Sequence, residues 1–485
     1  MSLKCEVIWQ IIKYAKQFNN ISQSFLQFLD KRMETEKKLL NYITDTTFSD
    51  LPRAPLNIAK DMILTVLGTT AAGATAEGCD HLVEFLRKEG GKEEATILIH
   101  GGRIPAHNAV FLNSIMARAL DFCDATAPGL HIGSSVVPVA LASAEVRRGC
   151  SGRDFLNALV LGTEVAVRLN LSRSAYDGFD PTGVCGVFAS TVVASKLLGL
   201  NFTETWNALG LAFNRCGGSF QSNIDGSLAV RVIQGWVSQA GITCAQLARL
   251  GVTGPKNFLE GIYGYFHLFA KDVFDPDIVA GDLGERFELK KVAFKKYPSC
   301  GATLVSTYAI LSLIEEKDLA PEGIIRIDIA VRPSAYKLAG HPFEIGDNPR
   351  VNAQFSIQYC IANALLRKTS KLCHFEESYV TDPNIMELVK KVHVTADPAL
   401  EKRGDTSVDI KVVTTGGDVH FKSVDNAPGF PGNPLSEQEQ EEHFWDCVDF
   451  AKKPLPRENA VKIISLVRNL EELEDVRVLI PLLLV

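Results

Sequence analysis

The chain has 485 residues, 46% of them hydrophobic, enough for two or three domains and at least one large core. Its 50 basic and 57 acidic residues give a net charge of −7. No Lys/Arg-rich run stands out, which argues against nucleic acid or an anionic membrane as the main partner. The 11 cysteines are scattered singly, without a Cys-x-x-Cys pair or zinc-finger spacing, as expected of thiols kept reduced inside a cell. No apolar run reaches the roughly 18 residues of a membrane span, and the N-terminus lacks the ordered regions of a secretory or import signal. A cytoplasmic location is therefore expected.

In chain order, residues 1–34 place Ile8, Ile11, Ile12, Phe25, Phe28 and Leu29 at loosely helical spacing and read as an amphipathic N-terminal extension. Residues 35–288 form the first part of a helical domain. Ile58, Met62, Ile63, Val66 and Leu67 mark one helix, and the small-residue run Gly68–Ala74 suggests close contact with another. A short strand or extended link is expected near Thr96–Gly102, then a helix from about Pro105 to Leu120. Further helices are expected over Asp154–Val167, Ala189–Leu198, Glu204–Phe213 and up to about Leu250, with a cap signal at Asn201. Tyr176–Gly183 and Arg215–Gly226 read as loops.

The texture changes over residues 289–425. Ile325, Ile327, Ile329 and Val331 alternate with Arg326, Asp328, Ala330 and Arg332, a period-two strand. Val408, Ile410 and Val412 lead through Thr415-Gly416-Gly417-Asp418 to Val419 and Phe421, a hairpin pattern. With helices near Ala302–Glu316 and Ser356–Leu366, this makes an α+β unit, and residues 426–485 return to helix. The fold class is thus mainly α: a large all-helical domain built from both ends of the chain, with an inserted smaller α+β lid domain.

The chemistry concentrates in Ala119–Ser135, a Gly- and Pro-containing loop between two helical segments that carries Asp121 and His131. Ser134 and Ser135 suit the cap of the following helix, whose positive end would favour a carboxylate. On spacing alone the same residues also suit a plain helix start with a structural Asp and a satisfied His. His100 and His107 read as structural. Asp275 and Asp277, with no His nearby, read as a surface turn and not a metal site. No Gly-x-Gly-x-x-Gly after a strand and no Gly-Lys-Ser/Thr loop is present.

Asp121-Phe122-x-Asp124 followed by His131 and Val136-Val137-Pro138, then Ala194–Leu200, then Phe294-Lys295-Lys296-Tyr297-Pro298-Ser299-Cys300, resemble the MmgE/PrpD family. The family includes 2-methylcitrate dehydratase, cis-aconitate decarboxylase and iminodisuccinate epimerase activities. The resemblance covers roughly Thr35 to Leu484 and implies a homodimer with a site between the two domains that uses no cofactor and no metal. It implies site roles for Asp121, His131, Lys295 and Tyr336. Four positions depart from the decarboxylase pattern: Ala125 stands for a threonine, Asp180 for a histidine, Val230 for a lysine and Cys300 for a histidine. Asp180 and Cys300 then line the pocket, and Arg231 is placed to supply the cation missing at Val230.

The family's substrates are small polycarboxylates with a proton next to a carboxylate or activated carbon. His131 is expected as general acid/base because imidazole titrates near neutrality, with Asp121 orienting it through a hydrogen bond. Lys295 would bind a substrate carboxylate and stabilise developing charge, and Tyr336 would position or protonate the substrate. The expected activity is a lyase releasing water or carbon dioxide. Its rivals are an isomerase or epimerase of a dicarboxylate and a catalytically silent carboxylate-binding homologue.

Overall fold

A computed structural model describes residues 33–172 and 178–485, so the extension read over residues 1–34 lies almost wholly outside the described residues. The chain is mostly helical with a small sheet. Its apolar side chains gather into two clusters. The larger draws on residues from Leu39 to Phe294 and is completed by Leu435 to Leu483, so both ends of the chain fill one core. The smaller spans Val305 to Ala427.

In the first cluster, helix Arg53–Gly73 packs against helix Ala106–Arg118 and against Glu437–Phe450 from the far end of the sequence. The small-residue run permits this approach: a Cβ on Gly73 would sit 2.0 Å from the Met116 carbonyl oxygen. Helices Gly152–Leu171, Val187–Leu198 and Ala229–Arg249 pack behind them. The expected cap is present, with Asn201 accepting from the Glu204 N–H ahead of helix Phe202–Phe213. The link near Thr96 is a two-residue ladder, Ala95–Thr96 against Arg103–Ile104. Among the described residues no helix is long and apolar enough to cross a membrane.

The second cluster backs a four-stranded sheet ordered Val392–Ala396, Ile324–Val331, Val408–Thr414, Val419–Val424; the first pair is parallel and the others antiparallel. Helices Gly301–Lys317 and Ile357–Arg367 cover it. Ile327, Ile329 and Val331 point inward as the alternation requires, each contributing roughly 1.5–3 kcal/mol by burial. Ile325 departs from expectation and is 55% exposed, because the register shifts between Ile324 and Arg326 and Ile324 turns inward instead. The hairpin forms with Val419 and Phe421 on its outer face.

Candidate active site

Helix Ala106–Arg118 ends just before the loop that carries Asp121, and Asp121 itself takes φ 51°, a left-handed conformation that Asp tolerates better than most residues. The loop's carbonyls are then claimed one after another by side chains from distant elements. Gln354 donates to Leu120 O at 2.6 Å, Lys295 to Asp121 O at 2.8 Å, His443 to Phe122 O at 2.8 Å, and Asn170 to Ala127 O at 2.7 Å. These long-range bonds leave an irregular backbone held as firmly as a helix.

Lys295 arrives by a two-residue antiparallel ladder, Ala293–Phe294 against Asp124–Ala125. Its ammonium is buried and lies 2.8 Å from Asp121 Oδ1; the Arg118 guanidinium pairs with the same oxygen. Burial alone would push the Asp121 carboxyl up. The charges of Arg118 and Lys295 overcome it and hold Asp121 well below the usual carboxylate range. Two buried cations therefore share the Asp121 carboxylate, with Asp124 within electrostatic reach of Lys295 and Asp180 within reach of Arg118.

His131 is half-buried beside this group. Its Nδ1 lies 2.7 Å from the Asp124 carbonyl, so Nδ1 carries the proton and Nε2 presents its lone pair, 3.4 Å from Arg118 Nη2. Burial first, then the charges of Arg118 and Lys295, hold the imidazole well below its ordinary range, so it is neutral at physiological pH. The expected Asp121–His131 hydrogen bond is not the one that forms: Asp124's main chain orients the ring, and Asp121 is spent on the two cations. The His131 N–H donates to Thr182 Oγ1 at 3.0 Å and its carbonyl accepts from Gln234 at 2.9 Å. Thr182 opens a π-helical turn, Thr182–Gly186, a form that often accompanies functional sites.

The following helix, Gly133–Arg147, is capped differently from expectation. Ser134 and Ser135 are buried inside it, and the Asp124 carboxylate accepts from the N–H groups of Ile132 and Gly133 at 3.0–3.1 Å. The helix's positive end is thus filled by the chain's own carboxylate and is not open to a substrate. Gly133 makes this possible, since a Cβ there would lie 2.4 Å from Asp124 Oδ1 and 2.7 Å from Met62 Cγ. Gly133→Ala is expected to cost about 2–4 kcal/mol and to lower turnover with it, read by urea denaturation and activity on one preparation.

The remaining sequence candidates divide. Cys300 is buried within electrostatic reach of Asp121, Lys295 and Arg118, and burial pushes its thiol up to about 11, so it lines the site as a neutral group. Asp180 is buried within reach of Arg118 and accepts from the Thr182 N–H at 2.8 Å; burial pushes its carboxyl up. Arg231 is buried but is engaged with Glu77, 3.1 Å from its carbonyl oxygen. Tyr336 stands apart: it lies in helix Pro333–Ala339, half-buried, with its ring 5.4 Å from that of His341. Among the described residues no hydrogen bond or ion pair joins it to Asp121, His131 or Lys295, and no group of three His, Cys, Asp or Glu side chains is arranged to hold a metal ion.

A surface groove of about 600 Å³ lined by Lys92, Glu94, Arg103, Glu145, Arg148 and Arg477 shares no residue with this site. Much of its charge is already spent within it, Arg103 on Glu145 and Lys92 on Glu94, each at 2.7 Å. Arg118, Thr182, Gln234, Gln354 and His443 are site residues that the sequence alone did not single out.

The chain is 29% identical over 440 residues to the cis-aconitate decarboxylase of Homo sapiens, covering 88% of this chain and 89% of that one. It is 28% identical over 441 residues to that of Mus musculus, covering 88% of each chain, and 24% identical over 475 residues to that of Aspergillus terreus, covering 92% and 95%. Residues 37–276 match the MmgE/PrpD N-terminal domain and residues 297–472 match the MmgE/PrpD C-terminal domain. The two matches leave residues 277–296, with Lys295 among them, as the segment between the domains, and the chain belongs to the MmgE/PrpD family.

Proposed function

We propose that the protein is a lyase that removes carbon dioxide or water from a small polycarboxylate, with cis-aconitate the first candidate and 2-methylcitrate the second, without a metal or organic cofactor. The observation that carries this reading is a neutral imidazole whose Nε2 lone pair lies beside two buried cations that share a single carboxylate. Lys295 and Arg118 attract a substrate carboxylate, and the lone pair accepts a proton from the adjacent carbon. In dehydration, the C–H electron pair becomes the new C=C bond as the C–O bond breaks, and the departing hydroxyl takes back the proton held on Nε2 and leaves as water. In decarboxylation, the pair of the C–CO₂ bond stays on the substrate, and the carbon takes a proton from water relayed through the neutral Nε2, the hydroxide left behind combining with the released carbon dioxide as bicarbonate. Lys295 and Arg118 stabilise the negative charge that builds in either case.

The similarity to cis-aconitate decarboxylases favours decarboxylation. The alanine at 125, the acid at 180, the valine at 230 and the thiol at 300 are the reason to test more than one acid. In this reading residues 289–425 act as a lid, with Tyr336 reaching the substrate only on closure. The active form is a cytoplasmic homodimer, and the half-exposed Trp236 on helix Ala229–Arg249 offers an apolar face to a second subunit.

The test is incubation with cis-aconitate, 2-methylcitrate and iminodisuccinate in heavy water. Carbon dioxide release with one deuterium in the product, or water release to an unsaturated product that carries none, supports the lyase. Deuterium washing into recovered substrate without an unsaturated product marks an epimerase, and thermal stabilisation without either marks a binding protein. Because the fold holds His131 neutral, kcat/KM is expected to stay level from pH 7 through the ordinary histidine range near pH 6.5 and to fall only in more acidic buffer. A midpoint at the ordinary histidine value would contradict the burial argument.

A further inference from the structure

We propose that Arg231 and Arg350 form a second carboxylate-binding pole of the same site, with Glu77 as its resident counter-ion, so that the protein selects molecules carrying at least two carboxylates. This rests on the lyase reading above and deepens it. Arg231 lies one turn before Gln234 on helix Ala229–Arg249, and Gln234 is the residue that holds the His131 carbonyl. Arg350 lies one turn before Gln354 in Pro349–Gln354, and Gln354 holds Leu120 O and Pro298 O. The two helices that brace the catalytic loop therefore each carry an arginine one turn further out, and both arginines converge on Glu77.

Arg231 Nη1 is 3.1 Å from Glu77 O and 3.5 Å from Glu77 Oε2, while Arg350 Nε is 3.1 Å from Glu77 Oε1. One carboxylate serves two guanidiniums, so this cluster carries an excess positive charge. Arg231 is only 2% exposed, yet its Nε finds no acceptor, and neither does the buried Nη1 of Arg350. A buried guanidinium N–H without a partner is costly, and a second carboxylate would satisfy both groups. The Arg350 guanidinium also lies 5.7 Å from the Phe450 ring, which holds it in place. Glu77, with its side chain 47% exposed, is free to turn toward solvent when a ligand carboxylate takes its place. Arg231 lies within electrostatic reach of Arg118, which links this pole to the one formed by Arg118, Lys295 and Asp121. A polycarboxylate spans the two poles, whereas a monocarboxylate can neutralise only one.

Titration calorimetry with tricarballylate tests this, because that tricarboxylate has neither the double bond nor the hydroxyl needed for turnover. Arg350→Gln is expected to weaken its Kd by about tenfold, the worth of one charged hydrogen-bond pair. Glu77→Gln, which removes the competing carboxylate and no cation, is expected to tighten it by about threefold, and it keeps the test decisive if R350Q folds poorly. Lys295→Gln should weaken binding through the other pole. If K295Q weakens binding while R350Q and E77Q stay within about twofold of wild type, the second pole is overturned and the lyase reading stands. If wild type does not bind tricarballylate, both are overturned.

Discussion

His131→Gln is expected to lower kcat about a thousandfold on whichever of cis-aconitate or 2-methylcitrate the wild type consumes, with the unfolding midpoint almost unmoved. The rate loss is that of a positioned acid/base group. The fold should survive because the ring is half-buried and glutamine keeps a donor for the Asp124 carbonyl, the shortest polar contact of the imidazole. Steady-state kinetics and a denaturant titration on the same preparation check both halves. Turnover within about tenfold of wild type would remove His131 from the proton step.

Asp121→Asn is expected to have the largest effect on stability, about 3–5 kcal/mol, because it removes the one carboxylate that directly pairs with both buried cations, Arg118 and Lys295. The pH dependence of that loss has a definite sign. The folded-state value of Asp121 is depressed below the unfolded one, so its contribution is fully present above the unfolded value near 3.9 and is lost as pH falls through the folded value. The difference in unfolding free energy between wild type and D121N should therefore be constant from neutral pH down to about pH 4 and shrink only below it. A difference that disappears near neutrality would mean that Asp121 is not ionised between the two cations.

The residues that carry charge were readable from the chain because their types and order are unusual: Asp121, His131 and Lys295 do come together. Their mutual roles were not readable. Asp121 and His131 lie on one loop, and a carboxylate–imidazole bond is the natural local guess. The loop's fold instead turns the ring onto the main chain of Asp124 and hands Asp121 to Arg118 and Lys295. Arg118 was hidden because it sits in the last turn of an ordinary helix. Thr182, Gln234 and Gln354 were hidden because each acts across a long stretch of sequence, where no spacing rule applies.

The same contrast holds in the fold. Helix periods and the turn at Gly416-Gly417 gave the elements, since those signals are local. Ser134 and Ser135 looked like caps by propensity, but Asp124, brought close by the absence of a side chain at Gly133, took that place. Ile325 obeyed the strand alternation on paper and lost it to a shift in register that only the neighbouring strand reveals.

The central claim, a neutral His131 protonated on Nδ1 with an unprotonated Nε2 beside Arg118, is most directly tested by nitrogen NMR of histidine-labelled protein. The His131 signals, among the 10 histidines of the chain, are assigned by their loss in H131Q. From about pH 8 down to about pH 6 they should show a protonated Nδ1 and an unprotonated Nε2 without titrating. An imidazolium at neutral pH, or a ring protonated on Nε2, would contradict the account.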